Sequence, residues 1–166
     1  PKELHELIIE KNKVNNKARL VAGYCWDWVS KRDKSLKDIV MLEHDFQVKW
    51  NLSTDGNVWI ISPKSVSEIG CIHTCQGLEV DYVGVIVGPD LVVRGGKVIT
   101  SPKKRAKTDK SLNGYYRDYK RNSKEADEKA SILIKNTYRT LMSRGLKGCY
   151  VYFTDNLTAL LQADEN

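Results

Sequence analysis

Apolar residues recur along the chain in two rhythms. Between Glu3 and Lys13, Leu4, Leu7 and Ile8 fall at helical spacing, which predicts an amphipathic helix. Ser123 to Arg144 repeats that rhythm at greater length, with Ala130, Ile134, Tyr138 and Leu141 on one face, Ser123 as the expected N-cap and Gly145 as the stop. Between the helices lie short apolar runs that read as strands: "ARLVAGYC" (Ala18–Cys25), "NVWIIS" (Asn57–Ser62), Ile69–His73, "YVGVIV" (Tyr82–Val87) and "KGCYVYFT" (Lys147–Thr154). "DIVMLEHDFQVKWNL" (Asp38–Leu52) alternates enough for one or two extended segments. Asp55-Gly56, and Gly95-Gly96 inside "LVVRGGKVIT", are hairpin turns by composition, and "NLTALLQ" (Asn156–Gln162) reads as a closing helix.

Strands that are nearly continuous in apolar character, with helices between some of them, predict an α/β fold. Its sheet is mainly parallel, with helices on both faces and one inserted β-hairpin. In such sheets the chemistry sits at strand ends and in the loops that follow. A chain of 166 residues suffices for one domain, taken as residues 1–166. No stretch reaches the length of a membrane span, and the charged start "PKELHELIIEKNK" is not a secretory leader, so the expected compartment is the cytoplasm. A start at Pro1 without methionine is the pattern expected of a piece of a longer polypeptide. The four cysteines lie in apolar or strand-like surroundings, as in a reducing compartment.

Charge is concentrated in one place. Between Ser101 and Arg121 eight basic residues, among them Lys103, Lys104, Arg105 and Lys107, face only Asp109 and Asp118, a local excess equal to the +6 of the whole chain. Tyr115, Tyr116 and Tyr119 are interleaved with them. Basic and aromatic side chains together suit a phosphate backbone and stacked bases; a solvated loop and helix face fits the same composition. The tryptophans Trp26, Trp28, Trp50 and Trp59 are expected to pack rather than to stack on bases.

The densest chemistry lies in "GCIHTCQGLEVDYVGVIVGPD" (Gly70–Asp90). On a strand, Cys71, His73 and Cys75 would share a face, but zinc sites take paired cysteines at wider spacing with a second pair elsewhere, which Cys25 and Cys149 do not supply. No metal site is therefore expected. As a single unit, the stretch is a strand delivering His73 and Thr74 to its end, a tight backbone approach at Gln76-Gly77, then Glu79 and a buried strand.

H-x-x-Q-G-x-E followed by a hydrophobic strand resembles the fifth conserved motif of superfamily 1 helicases, which lies in the second of their two RecA-like domains. "NTYRTLMSRGLKGCYVYFTD" (Asn136–Asp155) is similar to the sixth motif, a helix ending in Ser143-Arg144 before a strand. The resemblance implies that His73 and Thr74 face nucleic acid, that Gln76 and Gly77 approach the triphosphate, and that Glu79 approaches the ribose. It also implies that Arg144 is an arginine finger neutralising charge on the transferring phosphoryl group. "ARLVAGYCWDWVSK", "EIGCIHTCQGLEVDYVGVIVGPDL", "KRAKTDKSL" and "IKNTYRTLMSRGLKGCYVY" together resemble the C-terminal half of the bacterial Schlafen-like helicase-domain group. That implies a RecA-like second domain, ATP and Mg²⁺ as cofactors of the full-length protein, and single-stranded DNA or RNA as partner.

Two departures stand out. "MSRGLK" replaces the family's alanine-rich "TRAR" ending, and an arginine-bearing fourth motif is represented only by Arg19, for which a strand-edge salt bridge is the better fit. G-x-x-x-x-G-K-[ST] is absent; Gly95-Gly96-Lys97-Val98 has neither the spacing nor the hydroxyl. The phosphate cradle is thus expected in a preceding domain, and this piece alone is expected to be inactive and to bind neither cofactor. Two other readings remain: a non-catalytic nucleic-acid-binding module built on Ser101–Arg121, and an accessory domain of a nuclease or restriction system.

Overall fold

The computed structural model describes residues 1–51, 58–75, 77 and 79–158. Its frame is a four-stranded, fully parallel sheet in the order β4-β1-β5-β8, formed by β1 (Ala18–Ala22), β4 (Ile69–Gly70), β5 (Val80–Val87) and β8 (Gly145–Phe153). Alternation along β1 and β5 divides the core between two faces. Ala18, Leu20, Ala22 and Ile86 point to the side covered by α1 (Lys2–Asn15) through Leu4 and Ile8. Val21, Val83, Val85 and Val87 point to the side covered by α3 (Ser123–Met142) through Ile134, Tyr138 and Leu141. The α/β class, the parallel sheet and the helices on both faces therefore match the expectation, and the arrangement is compatible with a RecA-like fold. Among the described residues no helix is long and apolar enough to cross a membrane.

The α1 face is completed by an antiparallel ribbon, β2 (Ile39–Met41) with β3 (Phe46–Val48), which ends in Trp50. Trp50 is fully buried, bridges to Ile69, donates from Nε1 to the Trp26 carbonyl at 3.1 Å, and packs on Tyr24 and Trp28. The second ribbon is the inserted hairpin, β6 (Leu91–Arg94) with β7 (Lys97–Thr100). Gly95 and Gly96 both take positive φ, 55° and 70°, as a two-residue turn matched to strand twist demands. Helix α2 (Tyr115–Arg121) precedes α3 and carries the tyrosines of the basic segment. Strand β8 pairs only with β5 among the described residues, and Leu146, Cys149 and Val151 along it are exposed, so it is an edge rather than a buried strand.

Four local expectations change. Val58 to Ile61 form a helical turn, not a strand: Ile61 and Ser62 N–H groups both donate to the Val58 carbonyl, and Trp59 drives into the α3-side core while Val58 and Ile61 stay exposed. The strand expected over Ile69–His73 stops at Gly70, because the Thr74 and Cys75 N–H groups turn back onto the Cys71 carbonyl. The α3 cap is Asn122, whose side chain accepts from the Glu125 N–H at 3.2 Å, and the helix ends at Met142, leaving Gly145 to open β8. The turn at Asp55-Gly56 and most of the closing helix lie outside the described residues.

Close approach fixes two glycines in the sheet layer. A methyl group on Gly84 would stand 2.8 Å from Ile8 and Leu20, so α1 rests directly on β5. A methyl group on Gly23 would stand 1.9 Å from the Tyr138 hydroxyl, which is itself 2% exposed and has nowhere to retreat. We expect Gly23→Ala to destabilise the fold by about 1–3 kcal/mol, as overpacking of a filled core does. Urea unfolding of the variant beside wild type measures it, and an unchanged midpoint would show that Tyr138 is not held where the structure has it.

Candidate functional site

Because every strand of the main sheet runs the same way, the sheet has one edge of strand beginnings and one of strand ends. The two motifs in the sequence meet at the edge of beginnings. Val80, the first residue of β5, donates its N–H to the Arg144 carbonyl at 3.0 Å, so Glu79 and Arg144 stand on neighbouring strand entries. Arg144 follows directly from the last turn of α3, half-buried, with Nε donating to the Thr140 carbonyl at 3.1 Å and Nη2 to the Ser143 hydroxyl at 3.3 Å. Its charge also reaches the Cys75 thiol. Glu79 is exposed, and Gly77 is exposed with φ of 72° and open space where a Cβ would sit. Glycine here is required by a left-handed backbone rather than by crowding. Gln76 lies outside the described residues.

Two further groups hold this edge. Asp81 accepts from Lys147 Nζ at 2.7 Å and Asn15 Nδ2 at 2.8 Å, bonds that keep its carboxyl below the usual range. Arg19 is 1% exposed and makes no salt bridge among the described residues. Its guanidinium donates to Asn12 Oδ1 at 2.7 Å, to the Asn16 and Ala18 carbonyls, and across to the Ile60 and Ser62 carbonyls. Burial lowers its pKa to about 10, which leaves it cationic at neutral pH. Arg19 therefore ties the end of α1 to the turn that carries Trp59.

His73 and Thr74 are not at this edge. They lie in the turn that follows β4, where His73 is exposed and the Thr74 hydroxyl donates to Asn51 Oδ1 at 2.7 Å. From there the chain returns across the α3 face of the sheet, with Cys75 packed in the core against Gly70 and Trp59. Cys71 and Cys75 fall into separate core clusters, and burial pushes the Cys75 thiol up to about 12. Among the described residues no group of His, Cys, Asp and Glu side chains could hold a metal ion.

The basic segment lies at the opposite edge, that of strand ends. It is bound there by its backbone: Ser101 N–H to the Asp90 carbonyl, Ala106 N–H to the Tyr24 carbonyl, and Lys107 N–H to Asp27 Oδ1. Lys103, Lys104 and Lys107 are exposed on it. Arg105, expected with them against phosphate, turns inward. Nη1 donates to Asp90 at 3.0 Å and Nε to Asp109 at 2.7 Å, with all three side chains at most 2% exposed. Burial opposes the Arg105 charge, but the two carboxylates outweigh it and hold the proton more firmly than usual. Asp90 uses its other oxygen to accept from the Tyr138 hydroxyl at 2.5 Å, and that hydroxyl accepts from the Gly88 N–H at 2.9 Å. Sequence reading missed this network, since Tyr138 was assigned only to an apolar helix face. The available signal was the charge of Asp90 at the end of the most apolar strand, which needs a partner when buried.

The chain resembles known proteins at the level of its sequence. A family model described as "Schlafen group 3, DNA/RNA helicase domain" matches residues 1–155. The chain is 27% identical over 155 residues to "Uncharacterized protein YPL245W" of Saccharomyces cerevisiae, and the match covers 92% of this chain and 32% of that protein. This chain thus spans about a third of that relative's length. No solved structure matches.

Two outcomes follow from the buried charges and thiols. Arg105→Met leaves Asp90 and Asp109 buried without a cation and is expected to cost about 3–5 kcal/mol in chemical denaturation; a loss below about 1 kcal/mol would mean that Arg105 is a solvent-facing residue. Iodoacetamide at pH 8 is expected to label Cys149 in the native protein while Cys71 and Cys75 react only on unfolding, which peptide mass spectrometry reads directly.

Proposed function

The chain belongs to the Schlafen group 3 DNA/RNA helicase domain family, and from that premise we propose that this helicase-like domain is the second, RecA-like motor half of a superfamily 1 ATPase acting on single-stranded DNA or RNA. The observation that carries the reading is the hydrogen bond from Val80 to Arg144, which sets Glu79 and the motif-six arginine side by side at one sheet edge. An exposed left-handed loop next to a guanidinium suits the phosphates of a nucleotide, and Glu79 stands within the same loop to meet its ribose. The fit is partial, because among the described residues no carboxylate cluster is present that would hold Mg²⁺. The phosphate cradle and the metal ligands are assigned to another domain of the longer protein.

In this mechanism ATP supplies the free energy. Closure of the two halves brings Arg144 to the terminal phosphoryl group, where its fork neutralises developing charge. His73 and Thr74, at the far end of the same connection, hold nucleic acid, so the segment from Cys71 to Glu79 is the physical link between nucleotide and strand. Lys103, Lys104 and Lys107 add backbone phosphate contacts at the edge of strand ends, and Arg105 fixes the loop that presents them.

The exposed lysines stand at the edge opposite Arg144, and this separation also favours a second reading, a binding module that needs no nucleotide. ATP turnover by the full-length protein, with and without single-stranded DNA or RNA, separates the two. Nucleic acid should stimulate wild type, and Arg144→Ala should retain ATP binding but lose about 10³-fold or more in turnover. Absence of turnover in wild type, or full activity in Arg144→Ala, would leave only the binding module.

A further inference from the structure

A cleft of about 420 Å³ lies between the turn that ends β7 and the helices α2 and α3. Its construction is unlike that of the lysine loop beside it. One wall is the half-buried ring of Tyr119, over which the exposed Lys103 side chain lays its ammonium, 5.0 Å from the ring centroid. Tyr115, 7% exposed, braces that ring at a centroid distance of 5.6 Å and donates its hydroxyl to Asp127 Oδ1 at 2.7 Å. The facing wall is the first part of α3, where the exposed carboxylate of Glu128 and the side chain of Ser131 line the same space. Buried Pro102 lies between the walls.

An aromatic face, an ammonium and a carboxylate in one cleft select for a particular kind of ligand. A flat π-system takes the ring face when the exposed Lys103 side chain swings off it, and Lys103 with its neighbours then meets the phosphates on either side. The carboxylate is an acceptor only, so it takes a partner whose edge consists of donors. Among nucleobases, guanine offers two adjacent donors on its Watson–Crick edge, N1–H and the 2-amino group, which match the two oxygens of one carboxylate. Uracil and thymine present a single donor flanked by carbonyls, which a carboxylate repels. Asp127 has committed one oxygen to Tyr115, which leaves Glu128 as the reader.

We propose that this cleft is a pocket for an unpaired guanine of a bound single strand, stacked on Tyr119 and read at its Watson–Crick edge by Glu128. The inference rests on the nucleic-acid partner proposed above and adds a base preference to it. A strand held here would not be gripped by its backbone alone, so occupancy would depend on sequence as well as on salt.

The test is fluorescence anisotropy of the full-length protein with oligothymidine and oligouridine strands of one length, each carrying no guanine, one central guanine, or one central hypoxanthine, which lacks the 2-amino group. Wild type should bind the guanine strand about 10-fold more tightly than the plain strand, the discrimination of one good bidentate contact, with hypoxanthine between them. Glu128→Gln should erase most of that preference, so that the guanine and plain strands bind the variant about equally. Tyr119→Leu should weaken the guanine strand about 10-fold, and Tyr119→Phe should restore it, since only the ring face is needed. A preference in either the deoxy or the ribo series supports the pocket. Tight binding without guanine preference, or a preference that survives Glu128→Gln, overturns the pocket and leaves the motor reading standing. Failure of wild type to bind any strand overturns both.

Discussion

A single carboxylate organises the edge of strand ends. Asp90 sits where β5 leaves the core, fully buried, and its charge there demands compensation. It finds two partners from different parts of the chain: the Tyr138 hydroxyl from α3 and the Arg105 guanidinium from the loop after β7. Asp109 completes the guanidinium's coordination. The apolar strand, the helix on its α3 face and the lysine-bearing loop are therefore tied at one point. Gly88 and Gly23 belong to the same arrangement, the first as a donor to Tyr138 and the second as the space that its ring requires.

This junction gives the molecule two ends of different character. At the strand ends, charge is satisfied internally by Arg105 and displayed outward by lysines. At the strand beginnings, Arg144 and Glu79 are set by a main-chain bond, while Arg19 seals the layer beneath with carbonyl acceptors. Helix α3 runs between the ends, with Tyr138 in its penultimate turn and Arg144 just beyond its last. The connection from Cys71 to Glu79 also runs between them, held in the middle by Cys75. In the proposed function, strand and nucleotide would act on the same two connectors.

Much of this was legible in the sequence where a periodic signal extends over many residues. The long amphipathic pattern of α3, the apolar run of β5 and the Gly95-Gly96 turn each state their structure locally. The shorter runs misled because a single anchoring side chain outweighed the pattern. Trp59 is large enough for its burial to bend "VWII" into a turn, and the backbone bonds at Cys71 end β4 after two residues. Glu79 and Arg144 stand together because each immediately precedes one of two paired parallel strands. The inward turn of Arg105 was not legible, because a run of basic residues does not say which one meets carboxylates from elsewhere in the fold.

The exposed side of β8 has a consequence for how such a domain behaves in company. Nine residues long and paired only with β5 among the described residues, it presents a row of amide donors and acceptors in strand geometry, with Lys147 the one charge along it. Natural sheets protect such borders with charges, bulges or a covering element, because an open one templates the addition of another strand. In this domain β8 is therefore the border at which a further strand, from another segment or another chain, would pair.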